Sequence, residues 1–93
     1  MIKKIIGEDK IYLTLDQAQI NRKYRVVSVS AGRGLTERIY EMGLLPNTDI
    51  VIISRSGGHV IVLVKGVSVA LSRGIAKKIF VEELGSTEAV RSP

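Results

Sequence analysis

The chain runs in short alternations of apolar and polar residues, mostly with a period of two. Tyr24 to Ser30, YRVVSVS, is rich in β-branched residues and predicts a strand. Asp49 to Arg55, DIVIISR, predicts a second, and His59 to Lys65, HVIVLVK, a third. Ser56-Gly57-Gly58 separates these two. Paired glycines reach positive φ without steric cost, so a hairpin is expected there. Val67 to Ser72 alternates large with small, which predicts that Val67, Val69 and Leu71 face the core. Lys78 to Glu83, KIFVEE, predicts the closing strand, and Ile11 to Leu15 a shorter N-terminal one. Five to six short strands with tight connections predict a mainly β domain, a small barrel or sandwich.

Two stretches break this period. From Gly34 to Met42, the residues Leu35, Ile39 and Met42 fall at i, i+4 and i+7, one face of a helix. Thr36, Glu37, Arg38 and Glu41 occupy the other side. From Ser72 to Lys77, Ser72 is a candidate N-cap, and Ile75 and Ala76 are expected to point inward from one helical turn near 73–77.

The stretch RIYEMGLLPNT, residues 38–48, follows from the first of these helices. Gly43 falls where a C-cap glycine takes the left-handed conformation, and Leu44 where a contact back to the last turn is usual. Pro46-Asn47 suits the central positions of a β-turn, since Pro fixes φ and Asn tolerates positive φ. Leu45 is left without an obvious buried partner.

Composition narrows the function classes. A chain of 93 residues is one domain with a modest core, too small for a deep, multi-layered catalytic site. It has no cysteine, which excludes disulfides, thiolate metal sites and Cys nucleophiles. The longest aliphatic run, Val60 to Val64, is far short of the roughly 20 residues that span a bilayer. No signal-peptide core follows MIKKII, so a cytoplasmic location is expected. Residues 1–10 are expected to be an N-terminal extension, a tail or an edge strand. Residues 11–85 form the domain. Residues 86–93 are expected to be a flexible tail, with fraying from Gly85 onward.

The formal net charge is +5, which admits an ordinary basic surface or attraction to polyanions. Arg22, Lys23, Tyr24 and Arg25 are the one basic-aromatic cluster, and Phe80 is expected in or near the core. His59 is the only histidine and has no H-x-H or H-x-x-x-H partner, so it reads as a hairpin residue. Glu37 and Glu41 share a helix face. With His59 they are the weak metal candidates, since Fe²⁺ accepts imidazole and carboxylate ligands. Gly32-Arg33-Gly34 lacks the rest of a phosphate-loop fingerprint and reads as a strand-to-helix turn. No nucleophile, base and orienting group can be assembled, so no catalytic residue is assigned.

Taken in order, these pieces resemble the ferrous iron transport protein A (FeoA) domain, a small SH3-like β-barrel. The resemblance runs from about Leu13 to Leu84. It rests on Leu13-Thr14-Leu15, on Val26-Val27-Ser28-Val29, and on a helix ending in the pattern L-x-x-[ML]-G-[LI]-x-P-G, here Ile39 to Asn47. A hydrophobic hairpin, Val69-Ala70-Leu71 and R-x-x-A-x-x-I-x-V follow, the last matched by Arg73, Ala76, Ile79 and Val81. Asn47 stands where the family usually has Gly, and Asn accepts the same turn geometry. The family's fold also occurs as the C-terminal domain of iron-dependent repressors. A chain this short leaves no room for a helix-turn-helix domain, so a repressor is not expected.

The resemblance implies a non-catalytic accessory protein of ferrous iron uptake, docking on the cytoplasmic GTP-binding part of a FeoB-type permease. An exposed apolar contact at Leu45, with Arg38, Tyr40 and Leu44, is the expected docking patch. The contrary expectation is that Leu44 and Leu45 both pack under the barrel. No cofactor is expected. The resemblance allows Fe²⁺ association but supplies no ligand set. Exposed sheet edges permit a homodimer. The alternatives are a small basic β-barrel binding nucleic acid, the less favoured partner, and a transition-metal-binding regulatory domain.

Overall fold

A computed structural model describes residues 4–6 and 10–86. Seven strands form a single antiparallel sheet: β1 (Lys4–Ile6), β2 (Lys10–Thr14), β3 (Arg22–Val29), β4 (Asp49–Ser56), β5 (His59–Val64), β6 (Val67–Ser72) and β7 (Ile79–Ser86). The spatial order is β1-β2-β7-β3-β4-β5-β6. The six strands expected from the alternation are all present, and Lys4–Ile6 adds an edge strand beside β2. The rest of the N-terminal extension and the tail from 87 to 93 lie outside the described residues. Gly85 and Ser86, expected to fray, are instead paired with Lys23 and Arg22 as the end of β7.

The alternation becomes a core because the inward positions face each other across the ladder. Ile50 pairs with Val64 and Ile52 with Val62 between β4 and β5. Tyr24 pairs with Ile50, and Val26 with Val81. All of these residues are buried. Each large apolar side chain so removed from water contributes about 1.5–3 kcal/mol before the cost of ordering it. Register shifts between β3 and β7, at Lys23/Tyr24 and at Val26/Ser28, and between β4 and β5, at Ile52/Ser54, bend the sheet around this core.

Two helices interrupt the strands. Helix α1 (Arg33–Glu41) buries Ile39, and Leu35 and Met42 pack against the core from the same face. Helix α2 (Arg73–Ala76) begins at Ser72, whose hydroxyl accepts a hydrogen bond from the Ile75 N–H at 3.2 Å. It lies against β5, β6 and the 3-10 turn Leu15–Gln17. Ala76 is buried, and Ile75 packs on the core.

Two core expectations are corrected. Val67 is 60% exposed. It opens the edge strand β6, so one side of its backbone has no neighbouring strand, and only Leu71 of that strand is fully inside. Phe80 is 36% exposed, because Ile79 and Val81 take the inward positions on either side of it in β7.

Candidate docking site

Helix α1 stops at Gly43 in the manner its sequence predicts. Gly43 has φ of 98°, its N–H donates to the Tyr40 carbonyl at 2.9 Å, and the Leu44 N–H donates to the Ile39 carbonyl at 3.3 Å. This pair of bonds is the Schellman stop, and it reverses the chain within two residues. A Cβ on Gly43 would lie 3.3 Å from Cγ1 of Val64, so the stop is also packed tightly onto β5.

The reversal turns Leu44 inward and leaves it with no exposed surface. Leu45 then opens a β-turn through Pro46 and Asn47. The Thr48 N–H donates to the Leu45 carbonyl at 3.1 Å, and Asn47 has φ of 75°. Pro at the second position and a positive φ at the third make this a type II turn. The turn is held to β3: the Asn47 N–H donates to the Val26 carbonyl at 2.7 Å, and the Val26 N–H to the Thr48 carbonyl at 2.9 Å.

Leu45 is therefore presented on a rigid turn, 40% exposed. Ile53, Leu63 and Val67 are exposed to a similar or greater degree on the strands. What sets Leu45 apart is its fixed turn and its place beside the end of α1, where Arg38 is exposed and Tyr40 half-buried. Arg38 makes no ion pair among the described residues. Of the four expected patch residues, Leu44 belongs to the core. Its burial removes it from any surface and makes it the support under Leu45.

The basic-aromatic cluster of β3 comes apart in the fold. Tyr24 is a core residue whose hydroxyl accepts a hydrogen bond from the Gln19 N–H at 2.9 Å. Burial is the main influence on its phenol and pushes the pKa up. Arg22 pairs with Glu83. Arg25 pairs with Asp49 at 2.9 Å and reaches Glu82 at 3.9 Å. Alternation accounts for Arg25, which lies between the inward-pointing Tyr24 and Val26 and so turns outward to its carboxylates, whereas Arg22, at the start of β3, reaches Glu83 on the neighbouring strand.

The weak metal candidates are not brought together. Glu37 and Glu41 are exposed on α1, and His59 begins β5. Among the described residues no three His, Asp or Glu side chains form a group able to hold a metal ion. His59 instead lines a cleft with Arg55, Arg73 and Asp16. Of these, His59 stands out in the sequence as the only histidine and Arg73 as part of the family pattern, while Arg55 and Asp16 carry no signal of their own. The pairing of Ser56 with His59 across the Gly57-Gly58 turn is the signal that places Arg55 beside it.

With this geometry in place, comparison with known proteins decides the family. Residues 13–83 match the FeoA domain. The chain belongs to the FeoA family. A Methanocaldococcus jannaschii protein named "Putative Fe(2+) transport protein A" is 36% identical over 58 residues, 62% of this chain and 71% of that protein. The crystal structure of an iron uptake regulatory protein, FeoA, matches with a TM-score of 0.73 at 29% identity, covering 78% of this chain and 97% of that one. A manganese-dependent transcriptional repressor in complex with manganese has a TM-score of 0.74 at 19% identity. There the match covers 78% of this chain but 37% of the repressor, and it speaks to the fold alone. The FeoA match runs from the end of β2 into β7, and so takes in the turn that carries Leu45. Among the described residues no helix is long and apolar enough to cross a membrane.

Proposed function

We propose that this chain is a non-catalytic accessory protein of ferrous iron uptake. It docks on the cytoplasmic GTP-binding part of a FeoB-type permease and modulates that partner's assembly or nucleotide cycle. Family membership supports the iron-uptake role. The observation that carries the docking surface is the rigid exposure of Leu45 between the α1 stop and β3, with the support of Leu44 beneath it. We assign to the same surface the exposed cation of Arg38, for a partner carboxylate, and the half-buried ring of Tyr40.

A nucleic-acid role finds less support. It needs basic side chains and stacking aromatics free on one face. Tyr24 is buried, and Arg22 and Arg25 are paired with carboxylates.

The test is binding of the soluble GTP-binding domain of the permease by the wild-type protein and by Leu45→Asp. Loss of binding in a variant that keeps its folded spectrum supports the patch. Unchanged binding rejects it.

A further inference from the structure

The rim of the sheet opposite the Lys65-Gly66 turn gathers a second group of side chains that the docking patch does not use. Ser56 at the end of β4 pairs with His59 at the start of β5, and His59 pairs with Ser72 at the end of β6. The next residue, Arg73, donates its backbone N–H to the Gly58 carbonyl at 3.0 Å. Ser56, His59 and Ser72 thus sit side by side at the roughly 5 Å spacing of neighbouring strands, and Arg55 and Arg73 are the residues next to Ser56 and Ser72 in the chain. With Asp16, the Gly57-Gly58 turn, Ser56 and Val60 they line a cleft of about 210 Å³.

The charges of this cleft are unbalanced. Among the described residues, neither Arg55 nor Arg73 has a carboxylate partner. Arg55 is nevertheless held in place, since its Nη1 donates to the backbone carbonyl of Asp16 at 3.1 Å. Asp16 is the one carboxylate on the wall, and both its oxygens are engaged. The Thr14 hydroxyl donates to Oδ1 at 2.6 Å, and the Gln17 amide to Oδ2 at 3.2 Å. Two guanidiniums thus share the cleft lining with one carboxylate whose hydrogen-bonding capacity is partly used. Planar guanidiniums with free N–H groups recognise phosphate through paired, charge-assisted hydrogen bonds.

We infer that this cleft binds a single phosphate group, free or carried by a small molecule. Arg73 and Arg55 are the charge partners, and His59 with the Gly57-Gly58 turn forms the wall. The modest excess of positive charge suits one phosphate rather than a polyanion backbone. The site is separate from the Leu45 patch, and either stands without the other.

The experiment is titration of the ¹⁵N-labelled full chain with inorganic phosphate, glycerol phosphate and a nucleoside diphosphate, each against chloride at matched ionic strength. The expected result is saturable movement of the Gly57, Gly58, His59 and Arg73 amides with at least one phosphate probe, and none with chloride. The order of affinity among the three probes assigns the free or carried source. Arg73→Gln leaves the fold intact, because its side chain has no partner to lose among the described residues, and weakens binding by about tenfold or more. Arg55→Gln reports the second charge in the same way. Movement that does not saturate, that chloride reproduces, or that survives both substitutions overturns the assignment.

Discussion

Leu44 and Leu45 are consecutive, yet Leu44 is wholly buried and Leu45 is 40% exposed. The division between core and surface falls on the one peptide bond between the Schellman stop and the type II turn. It gives two adjacent leucines opposite consequences. Leu44→Ala is expected to destabilise the fold by about 2–5 kcal/mol, the cost of a cavity in a close-packed core. Leu45→Asp is expected to cost less, about 1 kcal/mol, because only part of the side chain is covered, while on the proposed docking it removes partner binding. Chemical denaturation of both variants checks the contrast.

Gly43 carries two constraints, a left-handed backbone and the Val64 methyl 3.3 Å from any added Cβ. Gly43→Ala is expected to cost at least about 1–2 kcal/mol, the usual penalty of a side chain in that conformation. Asn47, at φ of 75°, bears the backbone constraint with a residue that tolerates it. Asn47→Gly is expected to change stability less than Gly43→Ala does. Denaturation midpoints at constant slope decide between these outcomes.

The buried phenol of Tyr24 links stability to alkaline pH. Burial raises its pKa above the ordinary value of 10.0. The folded state therefore holds the proton more tightly than the unfolded chain does. Its contribution is fully present below pH 10 and is lost as pH rises through the higher folded value. The unfolding free energy of the wild type is expected to fall across that window. In Tyr24→Phe that part of the slope disappears, at a cost of about 1 kcal/mol at neutral pH for the lost hydrogen bond to Gln19. Denaturation curves of both proteins from neutral to alkaline pH provide the check.

The cap of α2 is a single bond from the Ile75 N–H to the Ser72 hydroxyl. Ser72→Ala is expected to lower stability by about 0.5–2 kcal/mol, and Ser72→Asp to retain most of it, because a carboxylate accepts the same bond. Thermal melts of the two variants separate capping from a general effect of substitution.

Local chemistry made much of this legible. Gly43, Leu44, Pro46 and Asn47 declare a helix stop and a turn because the constraints on φ act within a few residues. The Gly57-Gly58 hairpin and the Ser72 cap are legible for the same reason. What depends on pairing was hidden. That Val67 sits on an edge strand, and that β7 inserts between β2 and β3, follows from long-range ladder partners that no short stretch encodes. The carboxylates opposite Arg22 and Arg25 stand far along the chain, so the β3 cluster looked freer than it is. The exposure of Phe80 was readable in principle, since Ile79 and Val81 flank it with a period of two. The Arg55–Arg73 cleft needs the register of three strands at once.

Arg38 tests the electrostatic side of the docking account. If an acidic partner surface meets it, Arg38→Glu slows association and weakens the salt dependence of binding, with little change in stability. Association rates at two salt concentrations measure this directly.

Docking through the α1 stop and the turn after it has a signature that can be mapped residue by residue. The decisive experiment is an NMR titration of the ¹⁵N-labelled protein with the soluble GTP-binding domain of a FeoB-type permease, at two salt concentrations. The expected result is shifts clustered over residues 38–48, abolished by Leu45→Asp. Shifts confined to other faces of the sheet, or none at saturating partner, would contradict it.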